Sequence, residues 1–391
     1  MIAGSILTLN AGSSSLKFGL FESGTLRRMV SGGFDGVHDM PRLAAKDGNG
    51  APVVDRSVLQ KKPPVETLLR ELFGCLEPWL ADRPLAAVGH RIVHGGSGFV
   101  APVSLSEAVV RELDALTPIA PLHQPACLEP VRVLMRLHPD LPQVGCFDTA
   151  FHHTLAPPVS RYALPREFEE QGIRRYGFHG LSYEFIAGRL REISPETFSK
   201  RIVVAHLGSG CSLCAMREEK SLDTTMGFTA LDGLMMATRP GAIDPGIVLY
   251  LQQVRSMSVK EVEHLLYHRS GLLGVSGLSG DVRDLLASEH PNAAEALDLF
   301  TFRIAREIAA MANTLQGLDV LVFTGGIGEH AWQIREAVCE RLRWLGVKLD
   351  RDANRSGKER IAERQGVVEI HVIATDEELT IARQVSTVIG G

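Results

Sequence analysis

The chain opens with two apolar, strand-like stretches, residues 5–10 and 16–22, separated by the polar run Asn10-Ala11-Gly12-Ser13-Ser14-Ser15. That pattern predicts strand, tight turn, strand. Residues 31–55 are polar and Gly-rich and predict hairpins. From 64 to 79, Val65, Leu68, Leu69, Leu72, Phe73 and Leu76 recur at helical spacing. A short strand follows at 86–88, then a helix over 106–116 capped by Ser106. A second helix over 128–137 stops before Pro139, and a strand over 143–147 ends at Asp148.

The second half restarts the pattern. Residues 201–205 form a β-branched strand, His206-Leu207-Gly208-Ser209-Gly210 a loop, and 212–216 a return strand. Setting Gly208 against Gly12 aligns strand, Gly-Ser turn and strand in both halves, which reads as a duplication. Leu297, Phe300, Ile304, Ile308, Met311 and Leu315 line one stripe of a long helix over 294–316, closed by Gly317. A buried strand at 320–323 leads into the Gly-rich loop Thr324-Gly325-Gly326-Ile327-Gly328-Glu329-His330. Thr375-Asp376-Glu377-Glu378 reads as a capping box opening a last helix. No low-complexity linker separates the halves, and Pro157-Pro158 marks a candidate hinge within 148–158.

Composition narrows the classes. At 391 residues the chain exceeds one ordinary core, so two or three domains are expected. A net charge of −5 argues against a nucleic-acid partner. No apolar run approaches a membrane span and the N-terminus carries no signal-peptide pattern, so a cytoplasmic protein without a membrane partner is expected. Cys211-Ser212-Leu213-Cys214 has no second pair to complete a zinc site, and its strand-like setting points to a structural role. The Gly/Ser loops present backbone N–H groups and hydroxyls suited to phosphate oxygens, and Lys17 adds positive charge beside the first.

Ten motifs in order then resemble the acetate kinase family: the run 10–17, His90-Arg91-Ile92-Val93-His94-Gly95-Gly96, Ala120-Pro121-Leu122-His123, and Phe147-Asp148-Thr149-Ala150-Phe151-His152. They continue with Tyr176-Gly177-Phe178-His179-Gly180, His206-Leu207-Gly208-x-Gly210, and residues 223–229. Ser279-Gly280-Asp281-x-Arg283-Asp284, the loop 324–330 and Thr375-Asp376-Glu377-Glu378-Leu379 complete the set. The resemblance implies a duplicated two-domain α/β fold of the sugar kinase, actin and Hsp70 (ribonuclease H-like) type, with the active site in the interdomain cleft. The expected domains are 1–150, joined by a terminal helix at about 376–391, and a nucleotide-binding and dimerisation domain at 151–375. It also implies a homodimer through the C-terminal domain, ATP as co-substrate, and Mg2+, with Mn2+ as an alternative.

The implied reaction is reversible transfer of the ATP γ-phosphoryl to acetate, giving acetyl phosphate and ADP. A carboxylic acid is ionised at pH 7, so no strong base is needed; positive charge, a metal ion and directional donors are. The resemblance assigns Arg91 to the substrate and Arg239 to the phosphoryl group, with His179 donating to its oxygens and His123 assisting. Asp148 is an acid/base or positioning residue, and the ionised substrate favours positioning, through Arg91 or a metal-bound water. Asn10 and Glu377 are oxygen ligands for the metal. Val93, Leu122 and Phe178 match the wall that selects acid size. The nucleotide is assigned to Lys17, to His206, Leu207, Gly208, Ser209 and Gly210, to Asp281, Val282 and Arg283, and to Gly326, Ile327, Gly328, Glu329 and His330. The other histidines of these motifs, His94, His152 and His153, are read as structural.

Several positions depart from the family pattern. Ala230 stands where Pro is usual, which enlarges the expected acid pocket and admits propionate. Ser209 replaces Asn, Ala242 replaces an acid that would support Arg239, and Gly325 and His330 replace Ala and Asn near the adenosine. Two rival readings follow: a propionate or other short-chain carboxylate kinase, and a non-catalytic nucleotide-binding protein of the same fold. Retention of Arg91, Arg239, His179, Asp148 and Glu377 together argues against the second.

Overall fold

The computed structural model describes residues 4–12 and 15–390, so Ser13 and Ser14 of the first Gly/Ser run lie outside the described residues. The chain divides into two compact units, Met1–Phe151 with Asp376–Gly391, and His152–Thr375.

The first unit is built on an eight-stranded sheet. Its strands are β1 (Ser5–Ala11), β2 (Ser15–Glu22), β3 (Arg28–Asp35), β4 (Arg42–Asp47), β5 (Pro52–Ser57), β6 (Leu85–Ile92), β7 (Val103–Ser104) and β8 (Gln143–Phe147). They lie in the order β5-β4-β3-β2-β1-β6-β8-β7. β1 to β5 are joined antiparallel, whereas β6 pairs parallel with β1 and β8 parallel with β6. The Val65–Leu80 helix buries Leu68, Leu69, Leu72 and Leu76 in a cluster with Leu7, Leu9, Phe18, Leu20 and Phe34 of the sheet. Burying each such side chain stabilises the fold by about 1.5–3 kcal/mol. The predicted strand at 86–88 runs on to Ile92, which places His90 and Arg91 in the sheet. The helix expected at 128–137 begins earlier, at Gln124, with His123 as its N-cap.

The second unit repeats that core. Its strands β9 (Ile202–Leu207), β10 (Cys211–Arg217), β11 (Lys220–Thr224), β12 (Val320–Thr324) and β13 (Glu369–Val372) lie in the order β11-β10-β9-β12-β13. A hairpin whose first strand has a later strand as parallel neighbour is common to both sheets: β1–β2 with β6, and β9–β10 with β12. The Pro291–Leu315 helix buries Phe300, Ile304, Ile308, Met311 and Leu315 and packs on β10. Gln316, not Gly317, is its left-handed C-cap, with φ 59°.

Two local expectations are corrected. Residues 325–330 are not a loop but a short helix, Gly325–His330, leaving β12 directly. The last helix, Glu377–Gly390, is capped by Asp376, whose Oδ1 accepts from the Leu379 N–H at 2.9 Å. Thr375 does not cap it. Asp376 lies one residue nearer the helix and is itself held by an ion pair to Arg28. Among the described residues no helix is long and apolar enough to cross a membrane. Cys211 and Cys214 are buried on β10 and burial pushes both thiols up to about 12, as suits inert core positions.

Candidate active site

In the first unit, the assigned side chains Arg91 and Asp148 gather where parallel strands end. Arg91 lies on β6, and Asp148 follows β8 directly, its N–H bonded to the Ile92 carbonyl at 3.0 Å. Asp148 is 1% exposed. Arg91 Nε donates to its two oxygens at 3.0 and 3.1 Å, and Nη2 donates to Oδ2 at 2.5 Å. Arg91 Nη1 donates to Asn10 Oδ1 at 3.1 Å, and Asn10 Nδ2 donates to Glu377 Oε2 at 2.9 Å. Burial alone would lower the Arg91 guanidinium, but Asp148 and Glu377 outweigh it and hold it above its ordinary value. A guanidinium has five N–H donors, and Asp148 and Asn10 engage three of them through Nε, Nη2 and Nη1.

Around this chain stand the other assigned residues of the unit. Lys17, exposed on β2, pairs in register with Asn10. Glu377 opens the last helix, where a carboxylate meets the positive helix end. Glu378 beside it is raised by burial and by the Glu377 charge. Val93 is buried, while Leu122 and His123 are partly exposed. Their segments are tied by Gln124, which the sequence reading missed. Its Oε1 accepts from the His94 N–H at 3.2 Å, and its Nε2 donates to the His94 carbonyl at 3.0 Å. The available signal was a Gln immediately after Leu122-His123 at a helix start. His90 and His94 are buried, and burial pushes each down to about 4, so both are neutral.

In the second unit three assigned groups converge on the β9–β10 turn. His206 and Leu207 end β9, and the turn closes through the Gly208 N–H to the Gly210 carbonyl at 3.1 Å. A Cβ on Gly210 would sit 2.7 Å from Arg239 Nη2 and 3.3 Å from His179 Nε2. Gly210 is therefore the close approach that lets guanidinium and imidazole meet beside this turn. The Arg239 segment is pinned to the turn by the Ala237 N–H, which bonds the Ser209 carbonyl at 3.2 Å. Arg239 Nη1 donates to the Ala230 carbonyl at 2.8 Å, so Ala230 supports it through its backbone and the missing acid at 242 is not needed for this contact.

His179 is the N-cap of the Gly180–Ile193 helix and has a left-handed backbone, φ 60°. For a non-Gly residue this costs about 1–3 kcal/mol and must be held from outside. His152 does part of the holding: its Nε2 bonds the Phe178 carbonyl at 3.0 Å and its Nδ1 meets Ser221 Oγ at 2.7 Å. Gly177, with φ 76°, makes room, since a Cβ there would come within 2.6 Å of the His152 ring. Burial pushes His152 down to about 4. Phe178 is buried beside them. The His179 ring stacks on His206 with centroids 4.3 Å apart, and His206 Nδ1 meets Ser182 Oγ at 2.8 Å.

Two assigned nucleotide segments have local work of their own. Asp281 caps the Val282–Ala287 helix and pairs with the exposed Arg283 at 2.6 Å, which lowers the carboxyl. Glu329 turns back on its own helix, accepting from the Gly325 N–H at 3.0 Å and the Thr375 N–H at 3.3 Å. Gly326 and His330 are exposed, Gly328 is buried, and Ile327 lies between these extremes. Beneath them lies Arg335, which the sequence did not single out. It is 1% exposed and donates to the carbonyls of Gly328 at 2.8 Å, Glu329 at 2.9 Å and Asn354 at 3.0 Å, and to Asn354 Oδ1 at 2.7 Å. Arg335→Leu strands these acceptors in the interior and lowers the unfolding free energy by about 3 kcal/mol. Urea denaturation monitored by circular dichroism measures this, and a loss below about 1 kcal/mol contradicts it.

Among the described residues no group of three or more His, Cys, Asp or Glu is placed to hold a metal ion by itself. Comparison with known proteins then gives one answer. Residues 5–383 match the model of the Acetokinase family. An acetate kinase of Rhodopseudomonas palustris is 51% identical over 387 residues, covering 97% of each chain. A solved propionate kinase from Francisella tularensis superposes with TM-score 0.91 at 36% identity, covering 97% of this chain and 98% of its own. A solved acetate kinase from Porphyromonas gingivalis gives TM-score 0.86 at 35% identity, covering 99% and 100%.

Proposed function

The chain belongs to the Acetokinase family of carboxylate phosphotransferases, and we propose that it transfers the γ-phosphoryl of ATP reversibly to acetate, giving ADP and acetyl phosphate. The observation that carries this reading is the approach of Arg239 and His179 at Gly210, beside the β9–β10 turn. A cation and a directional donor at a turn of backbone N–H groups suit a phosphoryl group whose charge is spread over three oxygens.

The substrate carboxylate attacks as the anion, so the protein's task is to place it and neutralise it. The N–H donors of Arg91 that Asp148 and Asn10 leave over receive it. Asp148 orients Arg91, since its oxygens already accept guanidinium hydrogen bonds. His123 assists, and Val93, Leu122 and Phe178 limit the acid's size. Arg239 and His179 meet the phosphoryl oxygens. Residues 206–210 and Lys17 hold the nucleotide phosphates, and 281–283 and 326–330 flank the adenosine.

Glu377 and Asn10 fit Mg2+ in donor chemistry. Both offer hard oxygens, and Mg2+ takes one or two such ligands while keeping water and substrate phosphates. Glu377 and Asn10 would both hold the ion; their mutual hydrogen bond, with Arg91 on the Asn10 oxygen, supports Glu377 as the more available of the two oxygens. When bound, the ion offsets negative charge on the phosphates; Mn2+ accepts the same oxygens.

A propionate preference is the second reading, favoured by Ala230 and by the likeness to a propionate kinase. One methylene alters discrimination by only about 1–3 kcal/mol. Trapping acyl phosphate with hydroxylamine, using acids of one to four carbons and ATP, decides. Acetate is expected to be fastest; faster turnover of propionate selects the second reading, and no product with any acid overturns both.

A homodimer through the second unit and a cytoplasmic setting belong to the same proposal. The Pro245–Gln253 helix leaves Ile247, Leu249 and Tyr250 about half exposed and buries none of its residues, an apolar face suited to a second copy. Sedimentation of the wild type as a dimer and of Leu249→Glu as a monomer is expected; a monomeric wild type contradicts it.

A further inference from the structure

We propose that Tyr183 and Ser212 form a buried hydroxyl chain that fixes His179 in the tautomer with its proton on Nε2, making both residues positioning residues for a neutral donor. The inference rests on the reading of His179 as a hydrogen-bond donor to the transferred phosphoryl group. Tyr183 and Ser212 are each 0% exposed, on the Gly180–Ile193 helix and on β10. The Tyr183 hydroxyl lies 2.5 Å from Ser212 Oγ, and Ser212 Oγ lies 2.8 Å from His179 Nδ1.

Direction along the chain follows from donor strength. A phenol is the more acidic hydroxyl, so in a short contact with an aliphatic hydroxyl the phenol donates. Ser212 then turns its own hydrogen to His179 Nδ1, which accepts. The remaining ring proton must sit on Nε2, the nitrogen that faces Gly210 and the Arg239 guanidinium. In the opposite tautomer Nε2 would be an acceptor and would repel phosphoryl oxygens.

Two features disfavour a positive charge on the ring. His179 stands at the N-terminus of a 14-residue helix, whose positive end disfavours an imidazolium. Arg239 adds a second positive charge beside the same nitrogen. A neutral Nε2–H donor therefore reaches the phosphoryl oxygens without any proton leaving the ring, and Arg239 supplies the charge. His206, stacked on the same ring, fixes its plane. Sequence alone gives no hint of this, because Ser212 sits inside the C-x-x-C and reads as a core strand residue.

The test is a long-range proton–nitrogen NMR spectrum of protein labelled with 15N-histidine, which reports the tautomer of each ring. Wild type at pH 7.5 is expected to show His179 as Nε2–H; an Nδ1–H signal overturns the proposal without any variant. Ser212→Ala should mix the tautomers and lower kcat by about 10- to 100-fold, with KM for ATP within about twofold. Ser212→Thr, which keeps the hydroxyl, should recover most of kcat, and Tyr183→Phe should give a smaller loss, about 3- to 10-fold. An unchanged tautomer and kcat in Ser212→Ala, or equal losses of kcat and ATP affinity that Thr does not recover, overturns it. Absence of acyl phosphate in the wild type would sink the proposed reaction instead, and the tautomer assignment would still be read from the spectrum.

Discussion

Asp148→Asn is expected to lower kcat/KM for acetate by about 10³-fold, about 4 kcal/mol, and to leave ATP affinity within about twofold. The expectation follows from what Asp148 touches. Its carboxylate is 1% exposed and both its oxygens accept from Nε and Nη2 of Arg91. Asn keeps the shape but presents an N–H2 where Arg91 also presents donors, and removes the carboxylate paired with a buried cation. Arg91 should then swing toward Asn10 and Glu377, and the donors proposed to receive the substrate leave their place. A double-mutant cycle separates this from a proton-transfer role. If Asp148 acts through Arg91, the Arg91→Ala/Asp148→Asn pair should lose no more than about threefold beyond Arg91→Ala alone. Losses that multiply would show that Asp148 works independently of Arg91 and would overturn the positioning role.

The periodic parts of this fold were legible because local pattern and packing agree. The apolar stripe at 65–76 forms the helix it predicts, and the alternation around Gly12 and Gly208 gives the two hairpins. What failed locally failed where glycine punctuation competes with helix geometry. Residues 325–330 hold three glycines and read as a loop, yet they leave β12 as a helix because Glu329 turns back to bond its first N–H. Thr375 matched a capping pattern, but the nearer Asp376 took the role. The candidate site residues were assigned by resemblance, and their supports had no such signal. Asn10 and Glu377 touch across 367 positions, and Ser212 reaches His179 from another strand. Gln124, His152 and Arg335 act on backbone carbonyls and N–H groups, which carry no sequence signature. Nothing in a one-dimensional pattern distinguishes a buried Arg that holds carbonyls from a surface Arg on an amphipathic helix.

Arg239→Ala should remove about 10³-fold of kcat while ATP binding stays within about threefold. The guanidinium lies against Gly210, with Nη2 beside the β9–β10 turn and Nη1 held by the Ala230 carbonyl. In the proposed site, ground-state phosphates are held by other groups of the turn and by Lys17. Arg239 adds most when charge redistributes over the transferring group, so its loss falls on kcat rather than on affinity. Lys at 239 should recover little, because an ammonium cannot hold the Ala230 carbonyl and meet a phosphoryl oxygen in one plane. Gly210→Ala offers an independent reading of the same geometry. Its methyl carbon would stand 2.7 Å from Nη2 and 3.3 Å from His179 Nε2, displacing both groups while leaving their chemistry intact. It should therefore approach the Arg239→Ala defect in kcat, and the pair combined should be little worse than Arg239→Ala alone. Near-normal turnover in Gly210→Ala, or losses of kcat and ATP affinity in equal proportion for Arg239→Ala, would place the guanidinium outside the transfer step and make it a nucleotide-binding group only.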